Sequence, residues 1–464
     1  MITIKKHILS ICLSEFCGRL SYYGLQSLLI LYMIAKFNVN EVFGYNLYGH
    51  YVALTFSCCI LGGIISNKLL HPYQSVSIGT FLLLLGNIII FNTQQFFLFC
   101  LGVSTTVIAI GLIKPSTASL IGFVHKKMAS KNKLFIYFYI IGNLGSILGP
   151  FLYGLGIMLH KYWLGFTCSA LILAINLCLL YKNKQTRQKS NLSNNKIKLT
   201  TALILISLAI IYSILLGRIS ILFLFVPLAI FFAVYLIKVF KALSIDQKKL
   251  IHHLTIPMLA SILFFTAFLQ LFSSVTVFIH ENIQLYFFNL KIPAGWFSSI
   301  EAFLLFIIAK PITTLWERLQ HKNSTFSSKN KITWGLNATF LAFTFFALSA
   351  YFAENNTSIA VIAIIIGNLF LAIGELCIIP TSIALISENV PNRHLSFFIG
   401  IFYFSLSLSG YFSSFIADIS KDMQNLNENG FFILFILIAM FFALFSLGIY
   451  LYSYLFSKSP CKIT

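Results

Sequence analysis

Long apolar segments recur along the whole chain and are separated by shorter polar stretches. Each segment is close to the roughly 20 residues that a helix needs to cross a bilayer. The pattern predicts fourteen membrane-spanning helices, so both termini are expected on the same side of the membrane. The predicted spans are 8–35, 45–67, 74–92, 97–122, 134–157, 162–181, 200–216, 219–239, 253–280, 296–316, 332–353, 358–387, 395–419 and 430–456.

Composition supports a chain that faces lipid. Hydrophobic residues make up 58% of the 464 positions, Phe alone occurs 49 times, and the mean hydropathy is +0.89. Only 9% of the residues are charged, against about 25% in a typical soluble domain. Such a chain cannot cover a water-facing surface, so we expect an all-α polytopic membrane protein.

The basic residues are distributed asymmetrically between the predicted loops. The formal net charge is +20. Of the 32 Lys and Arg, 24 fall in loops predicted on one side, if Lys238 at the end of the eighth span is counted with its loop, five fall in loops on the other side, and three lie within spans. Short loops rich in Lys and Arg remain in the cytoplasm. The asymmetry therefore predicts a multi-pass protein of the inner (plasma) membrane with both termini cytoplasmic, and it explains the charge without nucleic acid.

The chain divides into three predicted parts. Residues 1–181 hold the first six spans, and 251–464 hold the last six. Between them, 182–250 contain a basic, polar linker followed by spans seven and eight, which carry almost no charge, with Arg218 at their turn. We expect this pair to form a lipid-facing hairpin between two six-helix halves.

One polar stripe crosses the first span. Glu15 and Arg19 are four residues apart, which places them on one helix face, and Tyr22 and Gln26 extend that face. A charge near the bilayer centre costs about 2.5–3.5 kcal/mol on insertion scales, so the stripe must face protein or water. It is either a structural ion pair or a proton-accepting carboxylate beside a substrate-binding guanidinium, which itself keeps its charge.

This stripe also carries a family resemblance. The residues from Glu15 to Gly24 read Glu-Phe-Cys-Gly-Arg-Leu-Ser-Tyr-Tyr-Gly. They resemble the Glu-x-x-Glu-Arg-Phe-x-Tyr-Tyr-Gly signature of the proton-dependent oligopeptide transporter family, which belongs to the major facilitator superfamily. The match fails at the second Glu, which is Gly18 here.

Other segments resemble the same family in the same order along the chain. The resemblance implies the major facilitator fold, with two six-helix bundles plus a two-helix insertion. It also implies proton-coupled symport of di- and tripeptides by alternating access. The matching segments are Gly62–Lys68, Gly111–Pro115, Phe138–Pro150, Ile292–Phe297 and Gly374–Pro380.

The resemblance and the polar positions together give the candidate site. Lys114 corresponds to a lysine that holds the peptide carboxylate or acts in coupling, and Glu375 to a glutamate that holds the amino group. Glu15 and Glu301 are the candidates for proton coupling. The candidate substrate-binding residues are Arg19, Tyr22, Gln26, Lys114, Tyr139, Asn143, Trp296, Glu301 and Glu375.

Several positions depart from the family pattern. Besides Gly18, an Arg that often follows Tyr-Tyr-Gly is Gln26 here, and a Tyr that often hydrogen-bonds substrate is Phe56. Glu301 stands where the family usually has Asn. This extra carboxylate is either a proton site that substitutes for the missing Glu or a partner for a cationic group.

Purely structural roles are alternatives for these residues. Lys114 could snorkel to the interface, Tyr139 and Asn143 could form a polar helix seam, and Glu375 could belong to a structural ion pair. The chain could also carry another amphoteric solute without proton coupling, or act as a non-transporting sensor. We expect no enzymatic activity, cofactor, metal or nucleic-acid partner. The expected partners are a small substrate, protons and lipid, with the protein monomeric.

Overall fold

The protein is helical along almost all of its described length. The structure is a computed structural model, and it describes residues 2–126, 131–182, 194–242, 254–287, 290–322, 328–390, 392–426 and 429–456. Its first eight helices are α1 (Ile2–Phe37), α2 (Glu41–Ile64), α3 (Pro72–Asn92), α4 (Phe96–Lys126), α5 (Lys131–Met158), α6 (Trp163–Lys182), α7 (Asn194–Leu215) and α8 (Leu222–Ala242).

The second half contains seven further helices and one small hairpin. A π-helical turn at Ile65–Leu69 ends α2, and a 3-10 turn at Leu269–Phe272 separates α9 from α10. The strands β1 (Tyr286–Phe287) and β2 (Leu290–Lys291) pair antiparallel. The helices are α9 (Thr255–Phe268), α10 (Ser274–Asn282), α11 (Trp296–Lys322), α12 (Ser328–Phe352), α13 (Thr357–Asn389), α14 (Asn392–Leu426) and α15 (Gly430–Phe456).

The predicted all-α membrane architecture is confirmed. Among the described residues, thirteen helical segments are long and apolar enough to cross a membrane. Helix α1 is long enough, but its polar stripe interrupts the apolar sequence, and it is not one of the thirteen. The predicted ninth span differs in one respect, since α9, the 3-10 turn and α10 follow one another along it.

The described contacts group into two compact units. The first combines Met1–Lys238 with Tyr286–Ser299 and Gly400–Phe415, and the second combines Val239–Leu285 with Ile300–Ile399 and Ile416–Thr464. These units follow packing and not chain order. The division predicted at residues 181 and 250 stays a prediction, and the part of the predicted linker at 183–193 lies outside the described residues.

Close helix contacts in the first unit occur at glycines. Helix α1 packs along α5, and a side chain at Gly145 or Gly149 would meet the α1 backbone carbonyls of Phe16 or Leu20. Membrane helices associate through such small residues because lipid supplies no hydrophobic driving force between them. The α1–α5 contact therefore fixes the distance between the polar faces of these two helices.

The second unit packs around aromatic side chains. Helix α12 lies against α13 and α15. Phe343 and Phe346 of α12 both contact Phe435 of α15, with ring centroids 6.2 Å apart in each pair, and all three side chains are buried. These ring contacts hold α12 against α15, and α12 also packs on α13, the helix that carries Glu375.

The inserted hairpin is mostly exposed, as a lipid-facing element should be. Only 17% of the residues in the most apolar stretch of α7, and likewise of α8, are buried. Within the first unit, Phe225 and Phe232 of α8 contact Phe404 of α14 at centroid distances of 5.9 and 5.2 Å.

Candidate functional site

The first unit contains a buried ion pair on α1. The Arg19 Nε donates to Glu15 Oε1 at 2.8 Å, and Glu15 is only 4% exposed while Arg19 is half-buried. The two residues lie one helical turn apart, as the sequence predicted. In an apolar environment each charge is stabilised by the other, so removing one partner leaves an uncompensated buried charge.

Two other helices supply hydrogen bonds to this pair. The Thr117 hydroxyl of α4 donates to Glu15 Oε2 at 2.7 Å, and Arg19 Nη1 donates to Asn143 Oδ1 of α5 at 2.6 Å. Both carboxylate oxygens of Glu15 therefore have a donor. The predicted residues Glu15, Arg19 and Asn143 are brought together, and Thr117 completes the cluster.

Room for the pair comes from a glycine. A Cβ at Gly142 would lie 3.1 Å from Arg19 Nε and Cζ and 3.3 Å from Glu15 Cγ. A larger side chain would displace the pair, so Gly142 contributes by leaving space. Sequence reasoning missed both Gly142 and Thr117, although Thr117 lies three residues after Lys114 and Gly142 directly precedes Asn143.

Lys114 lies beside aromatic rings in the same unit. Its Nζ is 4.6 Å from the ring centroid of Phe56 and 5.5 Å from that of Tyr22. A cation over an aromatic face within about 6 Å is attracted by the ring quadrupole. Helix α4 continues through Pro115, and the Lys114 side chain is half-buried.

Gln26 is a buried helix contact. Its Nε2 donates to the hydroxyl of Tyr48 on α2 at 2.8 Å, and the side chain is 1% exposed. The Gln26 Oε1 and the Tyr22 hydroxyl are buried without a hydrogen-bond partner among the described residues. Buried polar atoms of this kind are usually satisfied by water or by a ligand.

Trp296 lies at a seam between α11 and α5 within the first unit. Its indole Nε1 donates to the Phe151 carbonyl at 3.1 Å, and its ring stacks on Phe151 at 4.8 Å between centroids. The Ser299 hydroxyl donates to the Ile147 carbonyl at 2.8 Å in the same seam. The side chain of Tyr139, also predicted at the site, lies outside the described part of the structure.

Two carboxylates in the second unit interact with each other. Glu301 of α11 is 4% exposed, and within the described residues its Oε1 has no hydrogen-bond partner. Glu375 of α13 is half-buried and interacts electrostatically with Glu301. Two neighbouring carboxylates in an apolar environment are stabilised by a proton or by a cationic group of a ligand.

A break in a membrane helix of the second unit was not foreseen. At the 3-10 turn between α9 and α10, Gln270 Oε1 accepts hydrogen bonds from the Ser273 and Ser274 hydroxyls at 3.3 and 2.7 Å. Discontinuous helices often mark the binding sites of transporters. Its signal in the sequence was the polar run Gln270, Ser273, Ser274 and Thr276 inside an apolar span.

Among the described residues, no three His, Cys, Asp or Glu side chains group as metal ligands.

The amino-acid sequence is similar to that of known proteins over most of its length. A sequence model described as the POT family matches residues 74–434. A peptide transporter of Yersinia enterocolitica subsp. palearctica is 24% identical over 436 residues, which cover 85% of this chain and 84% of that protein. The match to this transporter therefore covers most of both chains.

Solved structures give the same fold. A POT family transporter in complex with 5-aminolevulinic acid superposes with a TM-score of 0.78 at 19% identity, covering 96% of each chain. A second, in complex with a thioalcohol conjugated peptide, gives 0.78 at 19% identity and covers 96% of this chain and 99% of that one. The major facilitator fold implied by the sequence is thereby confirmed.

Replacing Thr117 with Val tests the cluster around Glu15. The variant removes the hydroxyl that donates to Glu15 Oε2, and we expect the free energy of unfolding to fall by about 1.5–3 kcal/mol, the value of a hydrogen bond to a charged group. Thermal unfolding of the detergent-solubilised protein measures the change.

The matched control is Thr106→Val on the same helix, because that hydroxyl donates to the Val103 carbonyl at 2.7 Å. The loss should also shrink in a Glu15→Ala background, as for coupled neighbours in a double-mutant cycle. An equal loss with and without Glu15 would contradict the assigned hydrogen bond.

Proposed function

The chain belongs to the POT family, and we propose that it is a secondary active transporter, which couples uptake of short peptides or peptide-like zwitterions to protons. The observation that carries this proposal is the buried Glu15–Arg19 pair, bound by Thr117 and Asn143. The pair combines a carboxylate that can take up a proton with a guanidinium that keeps its charge. The relatives named above are transporters, and we propose no enzymatic activity.

The substrate is proposed to be read by its two charged ends. Arg19 and Lys114 would bind the carboxylate, and Glu301 and Glu375 would bind the ammonium group. Reading only the termini leaves the side chains free to vary, which would give broad specificity over di- and tripeptides. A tripeptide in extended form is about 10 Å long. The complexes of related structures with 5-aminolevulinic acid and with a conjugated peptide extend the expected class to peptide-like zwitterions.

Coupling is proposed to act through Arg19, which would exchange its contact with Glu15 for a contact with the substrate carboxylate. Protonation of Glu15 removes the negative charge that holds Arg19, and the guanidinium becomes available to the substrate carboxylate. Proton binding and substrate binding then favour each other, as linkage requires. Glu301 is the second proton candidate, because its buried Oε1 lacks a partner among the described residues.

The remaining binding residues are proposed to shape the pocket. Tyr22, Gln26, Tyr139, Asn143 and Trp296 would line or position it, with Asn143 acting through Arg19. Alternating access would follow from rocking of the two six-helix halves about the bound substrate.

The membrane orientation is proposed from the loop charges, with both termini cytoplasmic and the monomer as the functional unit. A C-terminal fluorescent-protein fusion should then fluoresce in cells, while a C-terminal alkaline phosphatase fusion should be inactive. The opposite pair of results would reverse the topology. Light scattering of the detergent-solubilised protein measures its oligomeric state.

Transport itself is testable in proteoliposomes. A labelled dipeptide should accumulate when the outside is acidic and the inside negative, and Glu15→Gln should abolish this gradient-driven accumulation because the amide cannot carry the proton. The exposed Glu354 provides the control variant Glu354→Gln, which should transport normally.

Other outcomes separate the alternatives. Full gradient-driven uptake by Glu15→Gln would remove Glu15 from coupling. Dipeptide flux that ignores the proton gradient would indicate an uncoupled carrier. Thermal stabilisation by dipeptides without any flux would indicate a sensor.

Blocked peptides test which residue reads which terminus. Lys114→Gln should weaken binding of a free dipeptide by about 10- to 100-fold, the value of one charge-assisted hydrogen bond, yet should not affect the C-terminal amide. Glu375→Gln should weaken the free dipeptide similarly and leave the N-acetyl form unchanged. Isothermal titration measures these dissociation constants.

The control for the lysine variant is Lys310→Gln, since Lys310 is exposed on α11. If Lys114→Gln or Glu375→Gln weakened free and blocked peptides equally, the residue would not read that terminus.

A further inference from the structure

The Lys114 ammonium lies between aromatic side chains of the first unit. Its ammonium group lies 4.6 Å from the centroid of the Phe56 ring and 5.5 Å from that of Tyr22. Both aromatic side chains are 3% exposed. The ammonium therefore lies against two buried ring faces, which we term the aromatic cradle.

Both rings of the cradle are backed by a further ring. Tyr22 stacks on Tyr51 with centroids 5.6 Å apart and an interplanar angle of 25°, and Phe56 stacks on Tyr403 at 6.4 Å and 22°. A ring packed against a near-parallel ring cannot tilt freely. The cradle thus presents fixed faces to the lysine.

The backbone also fixes the lysine relative to the cradle. A Cβ at Gly62 of α2 would collide with the Gly111 carbonyl of α4, and a Cβ at Gly111 would lie 2.5 Å from the Cys58 Cβ. The two helices are therefore in backbone contact beside the cradle. Phe56 lies on α2 within two turns of that contact, and Lys114 lies one turn beyond it on α4.

The physical role of the cradle follows from the strength of the contact. A cation–π interaction stabilises an ammonium in an apolar environment without committing its N–H donors to one acceptor. The ammonium can therefore hydrogen-bond an arriving carboxylate while it stays against the rings. Because Phe56 has no hydroxyl, its face offers only the π interaction.

We propose that Phe56 is a positioning residue for Lys114, which together with Tyr22 holds the ammonium where it binds the carboxylate of the substrate. The inference rests on the proposed function, in which Lys114 reads that carboxylate. The role of Phe56 would be indirect, through the position of the lysine, and it would affect only ligands with a free carboxylate.

The variant Phe56→Leu removes the ring face but keeps an apolar side chain. We expect the dissociation constant of a free dipeptide to rise about 3- to 30-fold, which corresponds to the loss of one cation–π contact. The dissociation constant of the C-terminal amide should stay unchanged. In proteoliposomes KM should rise with little change in kcat.

Conservative variants and a matched control complete the experiment. Phe56→Tyr and Phe56→Trp keep an aromatic face and should retain the preference for the free carboxylate. The control is Phe404→Leu, because Phe404 is also a buried ring but packs on Phe225 and Phe232. It should leave the ratio of the two dissociation constants unchanged.

Each remaining outcome decides between explanations. Equal weakening of acid and amide by Phe56→Leu would mean that Phe56 only supports the fold, and would overturn the inference. If Lys114→Gln itself fails to separate acid from amide, the assignment of Lys114 in the proposed function is at fault instead. If Phe56→Leu does not fold, loss of the acid preference in Phe56→Trp overturns the inference, and its retention supports it.

Discussion

The cost of charge inside the bilayer is the constraint on which the rest of this structure depends. Glu15 and Arg19 can both lie inside a membrane helix because each neutralises the other at 2.8 Å, and because Thr117 and Asn143 satisfy further polar atoms of the pair. An isolated charge near the centre of a bilayer is costly. The cluster therefore joins α1, α4 and α5 through hydrogen bonds to the two charged side chains.

Small residues make that arrangement possible. Glycines in α5 let it approach α1 at backbone distance, and Gly142 leaves the volume that the ion pair occupies. In lipid, close packing replaces the hydrophobic effect as the source of helix association. Charge and packing thus depend on each other, since the hydrogen bonds between helices require the close approach, and the polar contacts specify which faces meet.

The residues that depart from the family pattern lie in different environments. Gln26, where the family often has Arg, is bound to Tyr48 and buried. Phe56, where the family often has Tyr, lies against the Lys114 ammonium. Glu301 adds a buried carboxylate in the second unit, with one unpartnered oxygen among the described residues. In the first unit, Arg19 is thus bound by an ion pair and Lys114 lies against aromatic rings. In the second unit, the buried Glu301 oxygen favours a proton or a cationic group.

The sequence by itself determined the membrane class, the helices, the family and the polar face of α1. These follow from local properties, because the length of an apolar segment and the i, i+4 spacing of Glu15 and Arg19 require no knowledge of distant residues. Only the tertiary structure identified Thr117 and Asn143 as the partners, which lie 102 and 124 residues away from Glu15 and Arg19. It also decided the space at Gly142, the rings around Lys114 and the broken helix at Gln270. Such contacts depend on how faces of separate helices meet, and hydrophobic periodicity along one segment contains no information about which face of another helix it will touch.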